Sequence, residues 1–240
     1  MKTIFRRELA SFFHSPGAYA FIGVFLALSG VIFYLYNIQN LSGDVLTFLS
    51  QLTLLVMLLC PVLTMRLLCE EKQKKTELLM MTAPVSLGEI VVGKYLAAAV
   101  VMVLTVVLTN GFLLMIPLCG GTLYFGEWFT GYLGFTLQSL SFLAVDLLVT
   151  CFAKGPLTGA VLGFGVNFVL WMADLLTDSI SWDWLKDALN FLSLYNRYEI
   201  FRIGHFSFAA TLYFLTFIAC CLVVSVRILD ARRFDKGGIL

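Results

Sequence analysis

The chain alternates long apolar runs with short polar breaks, and the length of each run predicts its role. A membrane-crossing helix needs about 20 consecutive apolar residues. Six runs reach that length, near residues 18–36, 45–68, 90–118, 131–153, 156–177 and 207–229. Ahead of them, residues 1–15 predict a short amphipathic helix. Ile4, Leu9, Phe12 and Phe13 share one face, and Lys2, Arg6 and Arg7 face away, a pattern suited to lying on a membrane surface. Pro16 and Gly17 break this helix before the first run. That run is too long for a signal-peptide core and no small-residue cleavage site closes it, so it is expected to be retained.

Two polar breaks carry their own pattern. In the first, Glu70 precedes Lys74 and Glu71 precedes Lys75 at the i,i+4 spacing that supports a surface helix. Leu78, Leu79 and Met81 add an apolar patch, and Pro84 stops the helix. Ser86-Leu87-Gly88-Glu89 then has the form of a capping box that starts a new helix leading into the third run. The prediction is helix, sharp turn, helix at the inner surface, a shape fit for docking a partner protein.

The second break separates the fifth and sixth runs. Ser181 is placed to cap a helix carrying Trp182, Leu185, Leu189 and Leu192 along one stripe, with Trp184 beside it. Tyr195, Tyr198 and Phe201 extend the apolar character, while Asp183, Lys186, Asp187 and Arg202 interrupt it too often for a span. Aromatic side chains favour the headgroup level. A helical hairpin on or dipping into the outer leaflet is therefore expected.

Composition changes the picture in one respect. Hydrophobic residues make up 60% of the chain and charged residues 13%, against about 25% charged in a soluble domain. This is the balance of an all-α, polytopic membrane protein forming one transmembrane domain over residues 1–240. Net charge is +1, which excludes a general nucleic-acid field. With the N-terminus inside, all but Lys186, Arg197 and Arg202 of the 16 Lys and Arg fall on the inner side. The positive-inside rule then puts both termini in the cytoplasm.

Candidate chemistry is sparse. The six cysteines form no CxxC and no Cys/His cluster, and they read as small apolar fillers. No GxxxxGK[ST], HExxH or GxSxG occurs, so no catalytic residue, metal site or cofactor of the chain's own is expected. Polar residues inside the spans include Asn110, Gln138, Asp146 and Asn167, with Thr109, Ser139 and Ser141 beside them. They read either as lining a pathway or as interhelical hydrogen-bond partners. Gly155, Gly159, Gly163 and Gly165 predict close helix contact on the fifth run, within the chain or across a dimer.

The run Glu70 to Ser86, with Gly93-Lys94 following, resembles the signature of ABC-2-type permeases. An acidic-basic stretch, a threonine-glutamate-leucine motif, a small-Pro-x-Ser turn and a Gly-Lys pair recur there in that family; Lys75 stands where the family usually has glycine. The N-terminal segment resembles the family's connecting helix. Leu194–Gly204, Tyr213-Phe214 and Arg232-Arg233 resemble the gliding-motility-type, NosY-like branch.

The resemblance implies a permease subunit of an ATP-driven exporter in a bacterial cytoplasmic membrane, in contact with membrane lipid. Glu70, Glu71, Lys74, Lys75, Thr76, Glu77, Leu78, Leu79 and Pro84 would form the coupling helix. That helix would seat in a separate ABC ATPase subunit, which binds ATP and Mg. The second break would be a re-entrant hairpin. Two permease copies, identical or related, would enclose the pathway, and an auxiliary extracellular protein is admitted. ATP-driven closure of the motor would push on Glu70–Pro84 and tilt spans one to three against four to six. The alternative is a non-transporting scaffold that anchors an ATPase-driven surface machine of the gliding type.

Overall fold

A computed structural model of the chain describes residues 2–40, 43–73, 86–118, 124–176 and 193–237. The described residues are helical, with no strand among them. In chain order the helices are α1 (Lys2–His14), α2 (Pro16–Phe33), α3 (Val45–Gln73), α4 (Leu87–Leu113), α5 (Phe125–Phe152), α6 (Pro156–Leu176), α7 (Leu194–Arg202) and α8 (Phe208–Gly237). A π-helical turn, Tyr34–Ile38, extends α2, and Met115–Leu118 extends α4.

Five segments are long and apolar enough to cross a membrane: Pro16–Ile38, Val45–Cys69, Leu87–Pro117, Phe125–Phe152 and Phe208–Ala231. They make the chain a multi-pass membrane protein. The expected span at 156–177 corresponds to α6, whose described apolar stretch, Pro156–Met172, is shorter. Among the described residues, length and composition thus establish five spans, while the helix of α6 itself runs 21 residues to Leu176.

Local signals set the helix starts. Ser15 is extended and its Oγ accepts from Gly17 N at 3.3 Å, while Pro16 opens α2 at a position where its missing N–H costs nothing. Ser86 caps α4 in the same way, accepting from Glu89 N at 3.3 Å, as the capping-box pattern predicts. α3 does not stop at the end of its apolar run. It continues through Glu70 and Glu71 to Gln73, so the polar stretch begins as an uninterrupted extension of a span.

α3 and α5 are the centre of the bundle. Their apolar windows are 67% and 72% buried, against 28% for those of α2 and α8. α5 packs against α3, α4, α6, α7 and α8. Small residues make this possible. A β-carbon on Gly131 would lie 2.8 Å from Leu46 Cδ2, and one on Gly134 would collide with Phe201. The outward sides of α2, α6 and α8 stay apolar, with Val31, Val161, Val169 and Val223 exposed.

Candidate functional site

The polar stretch between α3 and α4 is bracketed by a clamp that joins three helices at one end of the bundle. Lys94, about two turns into α4, is 1% exposed. Its Nζ lies 3.3 Å from Glu8 Oε1 of α1, and Arg7 Nη2 donates to the same oxygen at 2.8 Å. A buried ammonium is tolerated only with a charged, well-placed partner, and α1 supplies one. Gly93 lets α1 approach, since a β-carbon there would sit 3.0 Å from Ile4 Cγ2. On the other side, Arg66 of α3 donates from Nη1 to Ser15 Oγ at 2.6 Å.

So α1 is tied by Glu8 to the helix leaving the polar stretch, and by Ser15, at its junction with α2, to the helix entering it. Ile4, Phe5, Leu9 and Phe13 pack on the core and Phe12 is buried within it. The apolar face that the sequence assigned to α1 is thus largely spent on the bundle.

Of the residues named for coupling, Glu70 and Glu71 lie in the last turns of α3. Lys74, Lys75, Thr76, Glu77, Leu78, Leu79 and Pro84 lie outside the described residues. Neither Glu8 nor Arg66 stood out in the sequence as a partner. Lys94 was visible as half of a Gly-Lys pair, but its burial was not.

A second constellation joins α3, α5 and α6 inside the membrane. Asn167 Nδ2 donates to Asp146 Oδ1 at 3.0 Å and lies 3.5 Å from the Met57 carbonyl oxygen. Pro61 has no N–H to give that carbonyl, so α6 supplies the donor that α3 lacks. Gly163 holds the two helices close enough: a β-carbon there would be 2.9 Å from Asp146 Oδ1 and 3.0 Å from Pro61 Cβ. Cys60 flanks the Asp146 carboxylate. One turn and more towards the opposite end, Thr53 Oγ1 donates to Gln138 Oε1 at 3.2 Å.

The fourth polar candidate, Asn110, accepts from Trp128 Nε1 at 2.8 Å and joins α4 to α5. All four named side chains therefore make interhelical bonds, which is how polar groups hold a membrane bundle together. Asp146 Oδ2, Asn167 Oδ1 and Gln138 Nε2 have no further hydrogen-bond partner among the described residues. Of the glycine row, Gly159 and Gly163 contact α3 and α5 within the chain, whereas nothing lies within 4 Å of a β-carbon on Gly165.

The second polar break is described only from residue 193 onward, so Trp182 and Trp184 lie outside the described residues. From Leu194 it forms α7, which packs against α3, α5, α6 and α8. Tyr198 and Phe201 are core residues rather than headgroup anchors. Phe201 fills the notch left by Gly134, and the Tyr198 hydroxyl lies beside Ser50 and Thr53, where burial pushes the phenol above its ordinary pKa. Tyr195 is half-buried and lines a small hollow with Thr53, Gln138 and Trp171.

Polar contacts fix the ends of α7. The Arg197 guanidinium stands 5.1 Å over the Tyr213 ring, and Arg202 pairs with Glu199. Gly204, with φ +82°, ends the helix in the left-handed region that glycine enters without penalty.

A model of the family described as ABC-2 family transporter protein matches residues 44–230. No individually curated protein matches the chain.

Proposed function

The chain belongs to the ABC-2 transporter family, and from that premise we propose that it is the permease subunit of an ATP-driven exporter. The family is a membrane transport component, and membership implies an ABC ATPase partner. In this reading the partner binds ATP and Mg, and it docks on the stretch from Glu70 to Pro84 on the cytoplasmic face of a bacterial inner membrane. The chain itself performs no bond-making step. α6 crosses as a sixth helix, which returns the C-terminus to the side of the N-terminus, and the outward apolar faces of α2, α6 and α8 meet lipid or a second permease copy. The gliding-motility-type branch and the re-entrant hairpin belong to this proposal as well.

The observation that carries the reading is the clamp. A force applied between α3 and α4 reaches α1 through Lys94–Glu8 and through Arg66–Ser15. The polar stretch is therefore built into the bundle at both ends.

The intramembrane contacts refine how the motion would run. α3 cannot tilt as a rigid rod away from α5 and α6 without breaking Thr53–Gln138 and the Asn167 contacts. We place the bend at Pro61. The outer part of α3 stays with α5 and α6, and the part from Val62 to Gln73 moves with α1 and the first turns of α2 and α4, breaking the contact of Cys69 with the Thr150 carbonyl at 3.8 Å. A proline inside a helix is a recognised cause of such a kink.

Affinity purification of the tagged chain tests the assignment. Recovery with a P-loop ATPase whose hydrolysis drives solute or lipid across reconstituted liposomes supports export. An ATPase whose activity responds only to an extracellular partner, with no movement of solute or lipid, supports the scaffold reading.

A further inference from the structure

We propose that the groove between the start of α2 and the facing part of α3 holds an acyl chain of an anionic phospholipid, whose phosphodiester sits on the Arg66 guanidinium. The groove encloses about 200 Å³. That is below the roughly 300–1,000 Å³ of small-molecule pockets, so it fits a length of chain rather than a cargo molecule. Its walls are apolar, among them Phe12, Phe21, Leu59 and Leu63, with Val24 and Val62 at 47% and 43% exposure along the open side. It runs from Gly17 to Val24 on one helix and from Arg66 back to Leu59 on the other, about 10 Å by the rise of a helix.

Arg66 supplies the reason for an anion. Its guanidinium lies over the first turn of α2, so that a β-carbon on Gly17 would collide with it. The start of a helix carries the positive end of its dipole, and a cation laid there is unfavourable unless an anion bridges the two. Among the described residues its hydrogen-bond partner is the neutral Ser15 hydroxyl and no carboxylate pairs with it. Ser15 takes one of five guanidinium N–H groups. Glu8 lines the adjoining hollow, but its carboxylate is engaged by Lys94 and Arg7.

Arg66 also lies at the right depth. The span of α3 ends at Cys69 and that of α2 begins at Pro16. The guanidinium is thus at headgroup level, and the groove leads from it into the hydrocarbon. A free phosphate would use the first feature and leave the second empty; a phospholipid uses both. The inference needs α2 and α3 to cross the membrane and does not depend on transport or on an ATPase.

The test uses the full-length chain, purified in mild detergent and given equal amounts of phosphatidylglycerol and phosphatidylcholine with identical acyl chains. Native mass spectrometry then counts the retained lipid. Wild type is expected to keep phosphatidylglycerol in preference. Arg66→Gln should lower that preference about tenfold, the size of one charge-assisted hydrogen bond. Ser15→Ala should keep it, since the guanidinium remains. Val62→Trp fills the groove from its open side while keeping the Arg66 charge, and should expel phosphatidylglycerol even if Arg66→Gln fails to fold. Equal retention of the two lipids by wild type overturns the proposal. So does undiminished phosphatidylglycerol binding in Arg66→Gln or in Val62→Trp.

Discussion

Asn167 of α6 reaches the one carbonyl that Pro61 leaves without its helical donor, that of Met57, at 3.5 Å. The same amide group holds Asp146 Oδ1 at 3.0 Å. One side chain thereby ties α6 to α3 and to α5. Asn167→Leu should lower thermal stability in detergent by about 1–2 kcal/mol, the upper range for interhelical hydrogen bonds in membranes. Pro61→Ala added to it should recover part of the loss, because an alanine there restores the N–H to Met57. No recovery in the double variant would show that the carbonyl was not the group in need.

The pair Glu8 and Lys94 lends itself to a double-mutant cycle. Glu8→Gln deprives a buried ammonium of its carboxylate and should destabilise by about 3 kcal/mol. Lys94→Met leaves Glu8 only partly covered and should cost less. The two together should cost less than the sum, with an interaction energy of about 1–3 kcal/mol. Thermal unfolding of the four proteins measures it, and strict additivity would mean that the two charges do not meet.

Gly163 and Gly165 separate packing from flexibility. A methyl on Gly163 meets Asp146 Oδ1 and Pro61 Cβ at 2.9 and 3.0 Å, whereas one on Gly165 meets nothing within 4 Å. Gly163→Ala should destabilise by about 1–3 kcal/mol, as overpacking does. Gly165→Ala should be neutral or stabilise by up to about 1 kcal/mol through helix propensity. Equal effects of the two, measured by thermal unfolding, would contradict the close approach of α6 to α3.

Pro61→Ala alone addresses the hinge. It should leave stability within about 1 kcal/mol, since the helix gains an N–H while Asn167 loses one acceptor. Transport per ATP hydrolysed should fall, because a straight α3 resists bending. Unchanged coupling, measured in liposomes with the ATPase partner, would move the hinge elsewhere.

Much of the fold was legible because the bilayer imposes a length, and apolar runs of that length are visible in any sequence. Ser86 with Glu89 announced a helix start because capping is local chemistry, whereas Pro16 showed only as a break and the cap by Ser15 emerged with the structure. Gly159 and Gly163 gave away a contact face through spacing. Long-range pairings were not legible. Glu8 and Lys94 are far apart in the chain, and only folding reveals that Lys94 is buried and must be matched. The aromatic residues of α7 misled for a related reason. Tyr198 and Phe201 have the composition of headgroup anchors, and only the notch at Gly134 explains why Phe201 turns into the bundle.

The central claim is that a motor acts on this protein through the stretch between α3 and α4. The most direct measurement is the ATPase and transport activity of the assembled complex in liposomes, with wild type set against a chain carrying Glu70→Lys, Glu71→Lys and Pro84→Ala together. The account predicts normal membrane insertion and loss of either ATPase association or transport per ATP. Full association and full coupling in the triple variant would contradict it.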